Sequence, residues 1–149
     1  MEDQIKIVQE EAEKLLKTIE IDGKVEVEKN DDGYMVSIDT EENALLIGKH
    51  GNTLSSLELI LSLIVSKKIG EYTRTIIEVG GYRKEREGYL KDLASRLKEE
   101  VINSGYEKTI RGLKPWERRL VHMYLSEDEE VTTESTGDER ERVLVIKKK

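Results

Sequence analysis

Two glycines enclose a lysine and a histidine at residues 48–51 of this 149-residue chain. Glycine has no side chain, so the backbone at such a position can approach another molecule closely. Lys49 adds a fixed positive charge and His50 a partial one. An apolar helical pattern starts after Asn52, and the start of a helix offers unpaired N–H groups and a positive dipole end. This glycine loop therefore suits a phosphate backbone, whereas the structural alternative is a helix end at Gly48 followed by a tight turn.

A second candidate site lies near the end of the chain. Arg118 and His122 are four residues apart, which places them on one face of a predicted helix that starts at Pro115. Arg119 lies beside them, and the planar donor fork of arginine fits phosphate oxygens. The alternative is a surface arginine with a histidine held by a nearby carboxylate, such as Glu117 or a residue of the acidic run after the helix.

Hydrophobic periodicity predicts the elements that hold the glycine loop. A helical pattern that ends near Asp22 is followed by a β-hairpin over residues 24–38, where apolar and polar residues alternate. A short helix over residues 41–47 leads into the loop, an apolar helix follows it, and residues 74–79 form a third strand. The predicted order is therefore α-β-β-α-α-β. The buried stripe of the apolar helix is predicted to contain Leu54, Leu57, Leu61 and Ile64, widened by Ile60 and Val65.

The pattern changes after the glycine pair at residues 80–81. A long helix over residues 82–102 and a short strand at residues 105–110 precede the helix that starts at Pro115. A second hairpin over residues 130–146 completes the order α-β-α-β-β. The residues that the Pro115 helix is predicted to turn inward are Trp116, Leu120, Met123 and Tyr124.

The composition excludes several kinds of site. Cysteine is absent, so the chain has no disulfide, no thiolate metal site and no cysteine nucleophile. The sequence has no window close to the ~18–20 apolar residues of a membrane span, and the expected location is the cytoplasm. The glycine loop lacks the Gly-Lys-Ser/Thr of a P-loop, and neither histidine has a sequence-visible partner for a catalytic triad. No enzyme activity, metal or cofactor is therefore expected.

The formal charge of −7 weighs against nucleic acid as a partner, but the charge is unevenly distributed. Residues 1–80 carry 9 basic and 17 acidic side chains, a net of −8, whereas residues 81–149 carry 16 and 15, a net of +1. The sequence has no acidic residue between Ala44 and Leu57, around the glycine loop. A local positive field, rather than the total charge, would attract a nucleic-acid strand.

Residues 44–54, with the sequence ALLIGKHGNTL, closely resemble the core of a KH domain of the bacterial, type II topology. The resemblance covers about residues 1–80 and includes the element order. It implies that residues 48–51 clamp the sugar–phosphate backbone of about four single-stranded nucleotides, with the bases in an apolar groove beside the loop. Ordinary core packing is the alternative for each apolar residue near the loop. The candidates for the groove wall are Ile47, Leu54 and Ile38.

Residues 116–122, with the sequence WERRLVH, look like the central part of an R-three-H domain when taken with residues 133–137 and 142–146. That small fold is associated with single-stranded nucleic acids, and the resemblance covers about residues 82–149. A KH domain followed directly by such a domain resembles the bacterial Jag family, also called KhpB or EloR. The resemblance implies that the strand's backbone is bound by Arg118 and His122, with supporting charge from Arg119, Arg140 and Arg142.

The chain departs from the Jag pattern in two places. Members commonly carry an additional small N-terminal domain and a linker, so the chain is expected to be either a shortened member or a fragment. The lead-in to the Pro115 helix, residues 111–114, lacks a Pro-Met pair. Trp116 in that helix has two interpretations, a stacking platform for a base or a core residue.

The expected fold is therefore α+β, with a type II KH domain at residues 1–80 and an R-three-H domain at residues 82–149. The resemblance implies a cytoplasmic, non-catalytic protein that binds single-stranded RNA, or also DNA, and helps to regulate cell elongation and division. It further implies a small single-KH protein as partner. The alternative is a protein-interaction scaffold on a KH fold, with little affinity for nucleic acid. The predicted RNA-binding residues are Gly48, Lys49, His50, Gly51, Arg118, His122, Arg119, Arg142, Ile47 and Leu54.

Overall fold

The computed structural model describes residues 2–149, and the chain divides into two compact units. The first unit ends at Tyr82 and the second begins at Arg83. Each unit has its own three-stranded sheet and its own apolar core. The predicted α+β fold class and both predicted element orders are confirmed. Within residues 2–149, no helix is both long and apolar enough to cross a membrane.

The first unit contains a mixed sheet covered by helices. Its central strand pairs antiparallel with the first strand, as the hairpin pattern predicts, and parallel with the third. The strand order is the chain order, and a single helical turn at Lys49–Gly51 separates the second and third helices. The elements are α1 Glu2–Thr18, β1 Lys24–Asn30, β2 Gly33–Asp39, α2 Asn43–Ile47, α3 Asn52–Ile69 and β3 Thr75–Val79.

The buried face of α3 differs in part from the prediction. Ile60 is 45% exposed and Ile64 is half-buried, whereas Val65 is fully buried. Because α3 is apolar on most of its surface, periodicity alone does not identify the side that packs on the sheet. The prediction of Ile60 as a core residue is therefore wrong. The α3 residues that lie in the core are Leu54, Leu57, Leu61 and Val65.

The second unit contains an antiparallel sheet in the order β4-β6-β5. The last strand along the chain lies at the centre of this sheet, where its apolar residues meet the helices. Leu144 and Ile146 of that strand are completely buried, with Leu90 and Ala94 of the long helix in the same core. The elements are α4 Tyr82–Ser104, β4 Lys108–Ile110, α5 Pro115–Leu125, β5 Val131–Thr136 and β6 Val143–Lys148.

The helix α5 packs through a different face from the predicted one. Met123 is 66% exposed and Tyr124 is 45% exposed, so the prediction of these two residues as inward-facing is wrong. The buried face includes a carboxylate: the Glu117 side chain accepts a hydrogen bond from Arg86 Nε at 2.6 Å and another from the Lys114 backbone N–H at 2.8 Å. Because a charged residue interrupts the apolar pattern of this face, hydrophobic spacing alone does not identify it. The buried residues of α5 are Glu117, Val121 and Leu125.

Asp128 fixes the start of β5 on α4. Its carboxylate forms an ion pair with Lys98 and accepts the backbone N–H groups of Glu130, at 2.8 Å, and Val131, at 3.1 Å. The hydrogen bond from Lys98 and those from the two backbone groups lower the pKa of the Asp128 carboxyl below its ordinary value. The charged form of Asp128 therefore stabilises the second unit.

The variant Asp128→Asn is expected to lower the thermal midpoint of the second unit at neutral pH. A carboxyl whose pKa falls on folding stabilises the folded state above its ordinary pKa of 3.8, and this contribution is lost as the pH falls through the lowered value. The difference in midpoint between variant and parent should therefore shrink as the pH falls below 3.8. Asp92→Asn, an exposed change on the same helix as Lys98, is the control. A difference that keeps its full size as the pH falls would contradict the assignment.

Candidate nucleic-acid interface

The glycine loop joins α2 to α3 through backbone in the left-handed region. Gly48, His50 and Gly51 have φ values of 70°, 52° and 76°. His50 is one of only two non-glycine residues with positive φ within residues 2–149. Such backbone is sparsely populated by residues with side chains and is held by its surroundings. The loop presents the side chains of Lys49 and His50 outward, and both are exposed.

Gly48 is required by packing as well as by its backbone angle. A Cβ atom at this position would lie 2.1 Å from Thr53 Oγ1 and 2.6 Å from Thr53 Cβ. No side chain fits there unless Thr53, in the first turn of α3, moves. The amide of Gly48 also donates to the Ala44 carbonyl at 3.0 Å, which ends α2. Gly48 thus ends one helix and lies against the start of the next, so the helix-end interpretation is correct for its geometry and compatible with a binding role.

The start of α3 provides a positive surface. Gly51 precedes the first residue of α3 and provides no side-chain cap for the helix. The first turn of α3 contains no acidic residue. The positive end of the helix dipole therefore lies beside Lys49 and His50, in a unit whose net charge is negative. An anion meets backbone N–H groups, a lysine and a histidine at this place.

The apolar residues predicted as the groove wall differ in accessibility. Leu54 is 3% exposed and Ile38 is 6% exposed, and both belong to the core of the first unit. Ile47 is half-buried against that core. Leu45, which the sequence analysis did not select, is 62% exposed on α2. The accessible apolar surface next to the loop is therefore provided by Leu45 and part of Ile47, and a contact of Leu54 with a base stays a prediction.

The second unit contains a cleft between the lead-in to α5 and the β5–β6 turn. Its volume is ≈ 530 Å³. Three of its arginines, Arg118, Arg140 and Arg142, were predicted from the sequence to bind the nucleic-acid backbone or to support that binding, and the cleft also contains two carboxylates. Four arginines against two glutamates give it a net positive charge. The charged residues of this arginine cleft are Arg111, Arg118, Arg140, Arg142, Glu139 and Glu141.

Protein oxygens hold the two principal arginines of the cleft in place. Arg118 Nη1 donates to the Leu113 carbonyl at 2.6 Å. Arg142 Nε donates to Ser135 Oγ at 2.8 Å, and its Nη2 donates to the Ser135 carbonyl at 3.3 Å. A guanidinium has five N–H donors, so these bonds hold each side chain and leave some of its donors unused by them.

His122 and Arg119 lie on α5 outside the arginine cleft. His122 Nδ1 is hydrogen-bonded to the hydroxyl of Thr133 on β5, and Arg119 is exposed. The alternative of a carboxylate partner for His122 is therefore wrong within the described residues, since Glu117 is buried in its bonds to Arg86 and Lys114. The site predicted around Arg118 and His122 is thus divided between the cleft and the adjoining helix surface.

Trp116 combines features of its two interpretations. The residue is half-buried, and the guanidinium of Arg83 lies over its ring, 5.0 Å from the centroid. A cation in that position interacts favourably with the ring face. A role of Trp116 in stacking on a base stays a prediction.

Besides Leu45, three residues at these sites were not predicted. Arg111 reaches the cleft from the lead-in to α5, Thr53 packs on Gly48, and Tyr82 packs on Gly51. Thr53 lies close to the glycine loop in sequence, which was the one signal for it. Arg111 is near Arg118 in sequence, but the cleft also needs the distant β5–β6 turn, and Tyr82 lies 31 residues after Gly51.

Two families match separate parts of the chain. Residues 6–77 match the family described as the KH domain of KhpA/KhpB, and residues 89–148 match the R-three-H domain. The RNA-binding protein KhpB of Clostridium symbiosum is 32% identical over 126 residues, which are 85% of this chain and 57% of that protein.

Two further curated relatives carry the same name. The RNA-binding protein KhpB of Bacillus subtilis is 32% identical over 111 residues, which are 73% of this chain and 53% of the relative. That of Lactiplantibacillus plantarum is also 32% identical over 111 residues, which are 74% of this chain and 34% of the relative. The chain therefore spans less than two thirds of the length of each of these relatives.

Proposed function

We propose, from the premise that this chain belongs to the KhpB family of KH–R-three-H proteins, that it binds single-stranded RNA without catalysing a reaction. The KH domain would comprise residues 1–80 and the R-three-H domain residues 82–149. The observation that carries the proposal is the glycine loop, which exposes Lys49 and His50 beside the start of α3, a helix end with no side-chain cap. The curated relatives that match the chain are named as RNA-binding proteins.

The glycine loop would bind the strand through its backbone. Phosphate oxygens would accept hydrogen bonds from N–H groups at the start of α3, with Lys49 and His50 adding charge. At Gly48 and Gly51 the space that a Cβ atom would need is filled by Thr53 and Tyr82, so glycine lets the loop keep this close-packed shape. Bases beyond the loop would lie against Leu45 and Ile47, the accessible apolar side chains there. Contacts of this kind give modest sequence preference.

The arginine cleft would bind a further part of the strand. Its volume of ≈ 530 Å³ falls within the range of pockets that hold small ligands, and its arginines match the acceptor pattern of phosphate. Arg118 and Arg142 are fixed by protein oxygens, so less side-chain entropy is lost when they bind. His122 and Arg119 would extend the contact along α5. Single-stranded DNA is an equally compatible ligand of such backbone contacts.

Binding of single-stranded RNA is expected to weaken linearly with salt on logarithmic axes. The slope for single strands is about −0.7 for each phosphate neutralised. Arg118→Ala should reduce the magnitude of the slope by about 0.7, because one such contact is removed. The measurement is a fluorescence-anisotropy titration at several salt concentrations with an unstructured RNA. Arg96→Ala, an exposed arginine of α4 outside the cleft, is the matched control.

Two results would contradict this assignment. Affinity that does not change with salt would exclude phosphate contacts as the main source of binding. Equal slopes for parent, Arg118→Ala and Arg96→Ala would place the contacts outside the arginine cleft. We also propose that this chain acts in the cytoplasm and helps to regulate cell elongation and division. Crosslinking in cells, followed by sequencing of the bound RNA, would identify its RNA targets and test this role.

A second candidate function is a protein-interaction scaffold, and the outer face of α3 favours it. Leu59 and Leu63 are 62% and 61% exposed, and Ile60 beside them is 45% exposed. Adjacent exposed apolar side chains on one helix are typical of a protein contact. The resemblance suggests a small single-KH protein as partner, and we propose that it would contact this face. Leu59→Glu with Leu63→Glu should abolish capture of that protein while leaving RNA affinity unchanged, and a chain that captures the protein but binds no RNA would favour the scaffold.

A further inference from the structure

The last residue of the glycine loop lies directly against Tyr82. A Cβ atom at Gly51 would lie 2.7 Å from Tyr82 Oη, 2.8 Å from Cε1 and 3.0 Å from Cζ. These are the outer atoms of the tyrosine ring, so the edge of the ring abuts the backbone of Gly51. Glycine is required at residue 51 for this contact in addition to its backbone angle.

The helix that leads into the loop packs on the same short segment. A Cβ atom at Gly80 would lie 2.7 Å from Asn43 Nδ2 and 3.0 Å from Asn43 Cγ. Asn43 is the first residue of α2, which ends at the loop. Residues 80–82 therefore contact the start of α2 through Gly80 and the end of the glycine loop through Tyr82.

Tyr82 is well placed to hold the loop in its strained form. The loop contains three residues with positive φ. Glycine adopts such backbone freely, but at His50 it persists only where the surrounding structure fixes it. Tyr82 is half-buried and packs against the core of the first unit, which fixes the position of its ring. Thr53 packs against the other glycine of the loop. The loop is thus held at both of its glycines.

We propose that Tyr82 is a positioning residue for the glycine loop, an inference that rests on the proposed binding of single-stranded RNA at that loop. Tyr82 would not bind the strand itself. Its ring would keep Gly51 and the first N–H groups of α3 in the arrangement that receives a phosphate. Tyr82 is the last residue of the first unit and the first residue of α4.

The test compares Tyr82→Ala and Tyr82→Phe with the parent chain. If Tyr82→Ala leaves only about a tenth of the molecules with the loop in its binding conformation, affinity for single-stranded RNA falls about tenfold. The variant Tyr82→Phe retains the ring and should retain most of the affinity. Tyr72→Ala, at a tyrosine of the same unit that is 83% exposed, is the matched control and should bind like the parent.

A second measurement needs no RNA. Amide hydrogen exchange of residues 48–51 should be faster in Tyr82→Ala than in the parent, with exchange in the β1–β2 hairpin unchanged, and Tyr82→Phe should restore the slow exchange. Faster exchange throughout the first unit would indicate unfolding and overturn the assignment as a positioning residue. Unchanged exchange at residues 48–51 would overturn it as well.

The variant Gly51→Ala provides an independent check. In the parent, the added methyl group meets the Tyr82 ring, whereas in Tyr82→Ala it does not. The loss of affinity caused by Gly51→Ala should therefore be smaller in the Tyr82→Ala background, and additive losses would overturn the proposal. A parent chain that binds no RNA would reject the proposed function, while the exchange measurement still decides the role of Tyr82.

Discussion

The double variant Lys49→Asp with His50→Asp is expected to bind single-stranded RNA about 30- to 150-fold more weakly than the parent chain, a loss of about 2–3 kcal/mol. Two attractive contacts with phosphate are replaced by repulsive ones at an exposed site, where each charge pair at about 4 Å contributes on the order of 1 kcal/mol. Aspartate tolerates the left-handed backbone of residue 50, so the loop keeps its shape. The measurement is an anisotropy titration at fixed salt.

The matched control for this variant changes at least as much charge elsewhere in the first unit. Lys6→Asp with Lys67→Asp replaces two exposed cations on α1 and α3, away from the glycine loop. We expect this control to weaken binding only slightly, through the general field of the unit. Equal losses in the two double variants would show that binding follows net charge and that the glycine loop has no special role.

The variant Glu117→Ala is expected to destabilise the second unit by about 3–5 kcal/mol, because it leaves the Arg86 guanidinium without its buried partner. The side chains of Arg86 and Glu117 are 14% and 1% exposed. The loss of the hydrogen bond to the Lys114 N–H also loosens the start of α5. Trp116 is the only tryptophan of the chain, so its fluorescence during denaturant unfolding follows this unit selectively.

A surface pair in the same unit provides the control for Glu117→Ala. Glu134 and Lys147 lie 2.8 Å apart with side chains that are 58% and 42% exposed, and Glu134→Ala should leave the unfolding midpoint almost unchanged. The double variant Arg86→Met with Glu117→Met should be less destabilised than Glu117→Ala, since no buried charge remains without a partner. If Glu117→Ala unfolds at the parent midpoint, the ion pair does not stabilise the second unit.

The element order could be predicted because it depends on local patterns. Alternation in the first hairpin, a turn sequence in the second and helical spacing elsewhere identified the elements of both units. The buried face of α5 could not be predicted, because it includes the charged Glu117, whose side-chain partner Arg86 lies 31 residues away in sequence. The exposed side of α3 was missed for another reason, since an apolar surface on most of a helix leaves its orientation open.

The candidate interface was also predictable only in part. The type and spacing of residues 48–51 define the glycine loop, and the structure presents Lys49 and His50 outward. The arginine cleft forms where a loop before α5 meets the β5–β6 turn, so the place of Arg111 in it follows from tertiary structure. Leu54 is buried and Leu45 is exposed, and this difference also follows from tertiary structure. The sequence alone shows two similar apolar residues near the loop.

The positive φ of residue 50 limits which amino acids fit at this position without backbone strain. A φ of 52° favours glycine, asparagine, aspartate and histidine, and of these four only histidine carries positive charge. Lysine or arginine would add a full charge but would strain the turn, and a β-branched residue would strain it further. Of the residues that favour this backbone, histidine is therefore the one that also attracts anions at residue 50. Residue 49 does not have positive φ, so its backbone sets no such limit on the side chain.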